Sequence, residues 1–163
     1  MQRSLLRTNE ELAQIYNRHV TTVYNVCFMY MKNPHDTEDM VQNTFIRLMR
    51  DPTRFESEEH EKAWLIRTAI NLCKDFFRSW WVSKTTDIDK AENVTVGPPL
   101  EQNEILIKVL SLPQKYKTAI YLYYYEGYSS VEIAKMLGKN ESTVRSYLHT
   151  GRKLLKIEME GES

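Results

Sequence analysis

Ser129–Lys156, SSVEIAKMLGKNESTVRSYLHTGRKLLK, carries the punctuation that decides the fold. Ser129 with Glu132 reads as a capping box, in which each side chain meets the other residue's unpaired backbone N–H, and it starts a short helix over Ser130–Leu137. Gly138 permits a tight turn, and Asn140 is placed to cap a longer helix from Glu141 to about Met159. On that helix Val144, Tyr147, Leu148, Gly151 and Leu155 share one face and pack inward. Short capped helix, glycine turn and longer basic helix together make a helix-turn-helix, the geometry in which the second helix enters the major groove of DNA.

The opposite face is polar. Ser142, Arg145, Ser146, His149, Arg152, Lys153 and Lys156 are spaced to meet base edges near the helix start and phosphates further along. Arg145 has the fork that pairs with both acceptors of a guanine, and the later bases supply salt-sensitive, sequence-blind attraction. A merely solvated basic face is the plain alternative; the capped helix and glycine turn upstream favour DNA. Gly151, inside the helix, costs about 1 kcal/mol relative to alanine.

The 163 residues hold 22 Lys+Arg against 22 Asp+Glu. That balance averages segments of opposite sign: acids outnumber bases between Lys32 and Lys62, whereas Ser142–Ile157 is basic and has no acid. Gly 5 and Pro 5 are too few for the many turns of a β-sandwich, so the chain is expected to be all-α. Apolar runs such as Val26–Met31 and Ala119–Tyr125 fall well short of the roughly 18 residues that span a bilayer. The opening MQRSLLRTNEELAQ has no apolar signal core, which predicts a cytoplasmic chain without direct membrane insertion. Cys27 and Cys73 lack metal-ligand spacing and read as buried reduced thiols.

Two helical blocks flank a polar middle. In the first, Ile15, His19, Val23, Val26, Cys27 and Tyr30 form one helical stripe that ends at Asn33-Pro34. Asp36 or Thr37 can cap a second helix whose inward face is Met40, Val41, Phe45, Leu48 and Met49, closed by Asp51-Pro52. Asp51–Lys62 reads as a polar loop, and Ala63–Ser79 as a third helix with Trp64, Leu65, Ile66, Ala69, Leu72, Cys73 and Phe76 around its apolar arc. The second block adds a helix at Glu104–Ser111 and another at Gln114–Tyr125, whose Tyr121, Tyr123, Tyr124 and Tyr125 are read mostly as core. The stretch between the blocks ends in Gly97-Pro98-Pro99 and lacks helical spacing. Domains are therefore expected over residues 1–80 and 103–163, with 81–102 as linker.

Asp39, Gln42, Asn43 and Ile46 share one outward side of the second helix, a carboxylate and amides beside an aliphatic chain. The loop Asp51–Lys62 combines Phe55 and His60 with hydrogen-bonding groups, the composition that stacks on unpaired bases and reads their edges. Metal-assisted hydrolysis at His35, Asp36, Glu38, Asp39 and His60 is a weak alternative, because a metal centre needs more ligands and a second shell. No catalytic residue, metal or cofactor is assigned.

LPQKYKTAIYLYYYEGYSSVEIAKMLGKNESTVRSYLHTGRKLLK resembles the C-terminal domain, sigma-four, of bacterial RNA polymerase sigma factors. HDTEDMVQNTFIRLM resembles their core-polymerase-binding helix, and KAWLIRTAINLCKDFFRS the helix that reads the start-proximal promoter element. Two such domains in this order resemble the extracytoplasmic-function (ECF) group of the sigma-70 family. The resemblance implies core RNA polymerase and promoter DNA as partners, and an anti-sigma factor, often membrane-anchored. It makes Asp39, Gln42, Asn43 and Ile46 the core-binding surface. It assigns minus-10 contacts to Phe55, His60, Lys62, Arg67, Asn71, Lys74 and Arg78, and minus-35 contacts to Ser142, Thr143, Arg145, Ser146, His149, Arg152 and Lys153. Ser146-Tyr147-Leu148 and His149-Thr150-Gly151-Arg152 depart from the family's more basic pattern, with fewer phosphate anchors. A stand-alone helix-turn-helix regulator, binding an operator as a dimer, is the rival reading.

Overall fold

A computed structural model describes residues 6–83 and 104–161, with side chains over 6–79 and 105–156. The expected linker at 81–102 lies almost entirely outside the described residues, as do the side chains of Trp80 and Trp81. Among the described residues there are seven helices and no strand. They fall into two compact units, one within Met1–Pro99 and the other within Leu100–Ser163.

The first unit packs three helices: α1 (Asn9–Met31), α2 (Pro34–Arg50) and α3 (Glu58–Ser83). Thr8 and Glu11 form a capping box at the start of α1. Its end is a single left-handed residue, Lys32 at φ 67°. Asn33 follows at once and caps α2, its side chain accepting the Asp36 N–H, with Pro34 in the first turn where its missing N–H costs nothing. Asn33, not Asp36 or Thr37, is therefore the cap, and the corner between α1 and α2 is two residues long.

Val23, Val26, Cys27, Phe28 and Met29 of α1 meet Met40, Val41 and Leu48 of α2 and Leu65, Ile66, Ala69, Ile70 and Cys73 of α3. Each large apolar side chain so buried contributes about 1.5–3 kcal/mol. The inward face of α2 differs from expectation. Met49 is 50% exposed and Phe45 half-buried, while Thr37 and Thr44 are fully buried. Their hydroxyls donate to the carbonyls of Asn33 (2.6 Å) and Met40 (2.8 Å), leaving a methyl to pack, so threonine behaves there as an aliphatic residue. Cys27 and Cys73 are free, buried, and face each other between α1 and α3. Their mutual hydrogen bond, then burial, pushes the Cys73 thiol far above its usual range, as befits an inert thiol.

The second unit comprises α4 (Glu104–Leu110), α5 (Gln114–Tyr124), α6 (Ser130–Leu137) and α7 (Glu141–Gly161). The Ser129–Glu132 capping box forms as read, and Gly138 turns the chain at φ 67°. Leu106, Val109, Ile120, Leu122, Ile133, Val144 and Leu148 make the core. Of the four tyrosines only Tyr121 is core. Tyr123, Tyr124 and Tyr125 are exposed, because one face of α5 suffices for packing on α7.

Gly151 is buried where α7 crosses α5. A β-carbon there would stand 2.8 Å from Ile120 Cγ1 and 3.0 Å from its Cδ1. The residue that reads as a missing phosphate anchor is a crossing point at which any added side chain would press on Ile120.

Candidate functional site

On α7 the inward residues Val144, Leu148 and Gly151 leave Ser142, Ser146, His149 and Lys153 exposed on the far side. Arg145 is exposed and pre-oriented. Ser130 Oγ, in the first turn of α6, donates to Glu141 Oε2 at 2.7 Å, and the same oxygen pairs with Arg145 Nε at 3.0 Å. The first turn of α7 is thus tied to α6 through the side chain beside its principal base-reading candidate. Thr143 is half-buried. Arg152 lies toward α5, where its Nη1 donates to Tyr124 Oη at 3.1 Å, and with Lys156 it rims an apolar cleft of about 570 Å³ lined by Ile105, Val109, Ile120 and Leu155. The structure therefore brings together Ser142, Arg145, Ser146, His149 and Lys153, and sets Arg152 on the flank.

The region read as the loop Asp51–Lys62 is shorter than expected. Ser57 caps α3: its carbonyl accepts the Glu61 N–H, its hydroxyl accepts the His60 N–H, and the helix begins at Glu58. His60, Glu61 and Lys62 are helical. At about 100° per residue, His60 shares a stripe with Arg67, Asn71, Lys74 and Arg78, whereas Lys62 lies about 140° round from Arg67. There it lines a polar cleft with Arg18, His19, Thr22, Glu58 and Glu59, so Lys62 is not brought to the other minus-10 candidates. Arg78 pairs with Asp75 at 3.0 Å and Lys74 is half-buried.

The true loop, residues 51–57, is braced at several points. Thr53 N–H donates to Asp51 Oδ1 at 2.8 Å, and hydrogen bonds to Thr53 hold the Asp51 carboxyl below its usual range. Arg54 pairs with Glu11 at 3.2 Å. The Phe55 ring is half-buried, 5.2 Å from the His60 ring and 5.7 Å from Trp64, with the Arg7 guanidinium 4.9 Å from its centre. Phe55 is thus an anchor for the loop, and His60 is its exposed neighbour.

On α2, Asp39, Gln42, Asn43 and Ile46 are exposed on one side as read, and Met49 extends that side with a second exposed apolar chain. His35, Asp36 and Asp39 bring ligand atoms within 4.8 Å of one another; Glu38 and His60, the other members of the metal alternative, are not in that group. The three lie in the first turns of α2, where the positive end of the helix dipole disfavours a cation.

Sequence reading missed three features. Arg7 precedes any periodic segment and gives no signal. Glu61 sits in the charge run EEHEK, yet it lies one and two helical turns before Leu65 and Ala69, a spacing that marks it as inward. It is 6% exposed and accepts from Arg18 Nη2 at 2.9 Å and His19 Nε2 at 2.7 Å. Met49 reads inward because it is apolar, yet it stands exposed beside Ile46.

Comparison with known proteins identifies the family. Residues 15–82 match the family described as Sigma-70 region 2, and residues 103–155 match Sigma-70, region 4. The ECF RNA polymerase sigma factor SigW of Bacillus subtilis is 27% identical over 167 residues, covering 92% of this chain and 89% of that protein. SigV of the same organism is 27% identical over 146 residues, covering 88% of each. Among solved structures, the sigma factor RpoE in complex with the anti-sigma factor NepR from Bartonella quintana superposes with a TM-score of 0.73 at 20% identity, covering 93% of this chain and 95% of that one. CnrH in complex with the cytosolic domain of CnrY gives 0.63 at 20% identity, covering 96% and 92%. With both regions matched in order, and relatives of the ECF type aligned along nearly the full length, the chain belongs to the sigma-70 family and is an ECF-type sigma factor.

Proposed function

We propose that the chain joins core RNA polymerase through the exposed side of α2 and gives it promoter choice, with α7 reading the minus-35 element and the 51–57 loop and α3 stripe engaging the minus-10 element. It acts in the cytoplasm, without cofactor or chemical step of its own. No helix among the described residues is long and apolar enough to cross a membrane. The observation that carries the reading is the outward face of α7, where Ser142, Arg145, Ser146, His149 and Lys153 stand together beside the Glu141 brace. Reconstituted transcription with core polymerase across a randomised promoter library tests it. Preferred sequences should emerge at two separated elements. Tight operator binding by the chain alone as a dimer, with no change in polymerase initiation, would favour the stand-alone regulator.

Two predictions follow from the surfaces. Arg145→Ala should lower discrimination at one minus-35 base pair by about 1–3 kcal/mol, roughly tenfold in selection, while initiation on the weaker sequences changes little. Ile46→Glu places a charge on the apolar part of the α2 face and should weaken core association at least tenfold in size-exclusion or fluorescence titration. Because Ile46 is 40% exposed, the unfolding midpoint should hold.

Regulation is proposed to follow the related sigma factors solved with anti-sigma proteins. An anti-sigma protein, in some cases membrane-anchored, would cover the exposed apolar groups of α2 and of the α4–α5–α7 cleft. Co-purification with a candidate encoded beside this chain, and loss of that complex in Ile46→Glu, is the check.

A further inference from the structure

Arg7 belongs to no helix and to no recognised surface, yet its guanidinium hydrogen-bonds the backbone at Leu48, Asp51 and Thr53. Its Nη1 donates to the Leu48 carbonyl at 3.1 Å and to the Asp51 carbonyl at 2.5 Å, and its Nη2 donates to the Thr53 carbonyl. The same guanidinium stands 4.9 Å from the centre of the Phe55 ring. Leu48 is in the last turn of α2, and its carbonyl also accepts the Asp51 N–H of the helix cap at 3.2 Å, so Arg7 reinforces a cap that the backbone has begun. One planar group therefore closes the end of α2, fixes alternate carbonyls of the chain that leaves it, and sits against the aromatic ring that docks the loop onto α3.

We infer that Arg7 is the positioning residue for the minus-10 loop: it sets the conformation in which residues 51–57 and His60 are presented to unpaired bases. This rests on the proposed role of that loop and deepens it. Five N–H groups in a rigid fork can serve three carbonyls and keep a flat face for Phe55, and a lysine ammonium on a flexible stem cannot do both. Arg54, the loop's own cation, is engaged by Glu11, so it does not substitute. A base-capturing loop gains from such bracing because ordering that is complete before DNA arrives need not be supplied by the binding energy.

The test is the randomised promoter library, transcribed by core polymerase with the full chain, native or carrying Arg7→Ala or Arg7→Lys. The minus-35 element, read by the other unit, is the internal control. Arg7→Ala should flatten the minus-10 base preferences at least tenfold and leave minus-35 preferences and core affinity within about twofold; Arg7→Lys should remain within threefold of Arg7→Ala. Three results overturn the inference alone: minus-10 preferences unmoved in Arg7→Ala, both elements and core affinity falling together as for a damaged domain, or full rescue by lysine, which would make charge the requirement. A native chain without minus-10 preference, or one whose His60→Ala and Phe55→Ala variants keep it, removes the loop reading and this inference with it.

Discussion

Glu61→Ala should lower the stability of the first helical unit by about 3 kcal/mol, the largest single-residue effect expected there outside the apolar core. The carboxylate is 6% exposed and ties α1 to α3 through Arg18 and His19. Removing one member of a buried charge-paired group costs about 3–5 kcal/mol because the others remain without a partner. Arg18, whose side chain is 35% exposed, can turn to water, which places the effect at the lower end. In a unit of this size the unfolding midpoint should fall by roughly 10 °C or more. Trp64, Trp80 and Trp81 all lie within the first unit, so tryptophan fluorescence of the full chain follows its unfolding selectively. Glu61→Gln keeps the volume and one acceptor and should lie between. A loss under 1 kcal/mol in Glu61→Ala would mean that the contact between α1 and α3 stands on its apolar residues alone.

Gly151→Val is the counterpart in the second unit. A β-carbon at 2.8 Å from the side chain of Ile120, itself 1% exposed and stiff at its branched carbon, forces either the isoleucine off its rotamer or the helices apart. Overpacking of this kind costs about 1–3 kcal/mol, and valine recovers only part of the roughly 1 kcal/mol that glycine loses in a helix. We expect a net loss of about 2 kcal/mol, seen as an earlier circular-dichroism transition that tryptophan fluorescence does not follow. Gly151→Ala should fall near neutral, the two effects offsetting. Ile120→Val, which removes the Cδ1 methyl at 3.0 Å, should partly relieve Gly151→Val if the crossing is as described. Unchanged melting in Gly151→Val would show that α5 and α7 do not meet there.

Much of this was legible beforehand where local chemistry is self-contained. The Ser129–Glu132 box, the left-handed Gly138 and the apolar stripe of α1 each follow from a few neighbouring residues, and each formed as read. Failures arose where a residue's role depends on partners distant in the chain. Thr37 reads as a possible cap and Thr44 gives no signal of its own, yet both turn their hydroxyls onto preceding helical carbonyls and pack inward. Lys62 read as a loop cation until Ser57 capped a helix that begins at Glu58 and carries it round to the α1 side. Gly151 looked like a substitution that weakens DNA binding, and only the position of Ile120 reveals what it permits. Among the candidate surfaces, the exposed sides of α2 and α7 follow from helical periodicity, apart from Thr143 and Arg152. The loop does not, since Arg7, which braces it, lies 41 to 46 residues from the carbonyls it holds.

Glu141 grips Arg145 by Nε, and Ser130 in turn steadies Glu141. If α7 reads the minus-35 element as proposed, a guanidinium held from behind meets the paired acceptors of a guanine with less rotamer freedom left to surrender. The carboxylate then works as a rear sight, aligning the fork without itself touching the target.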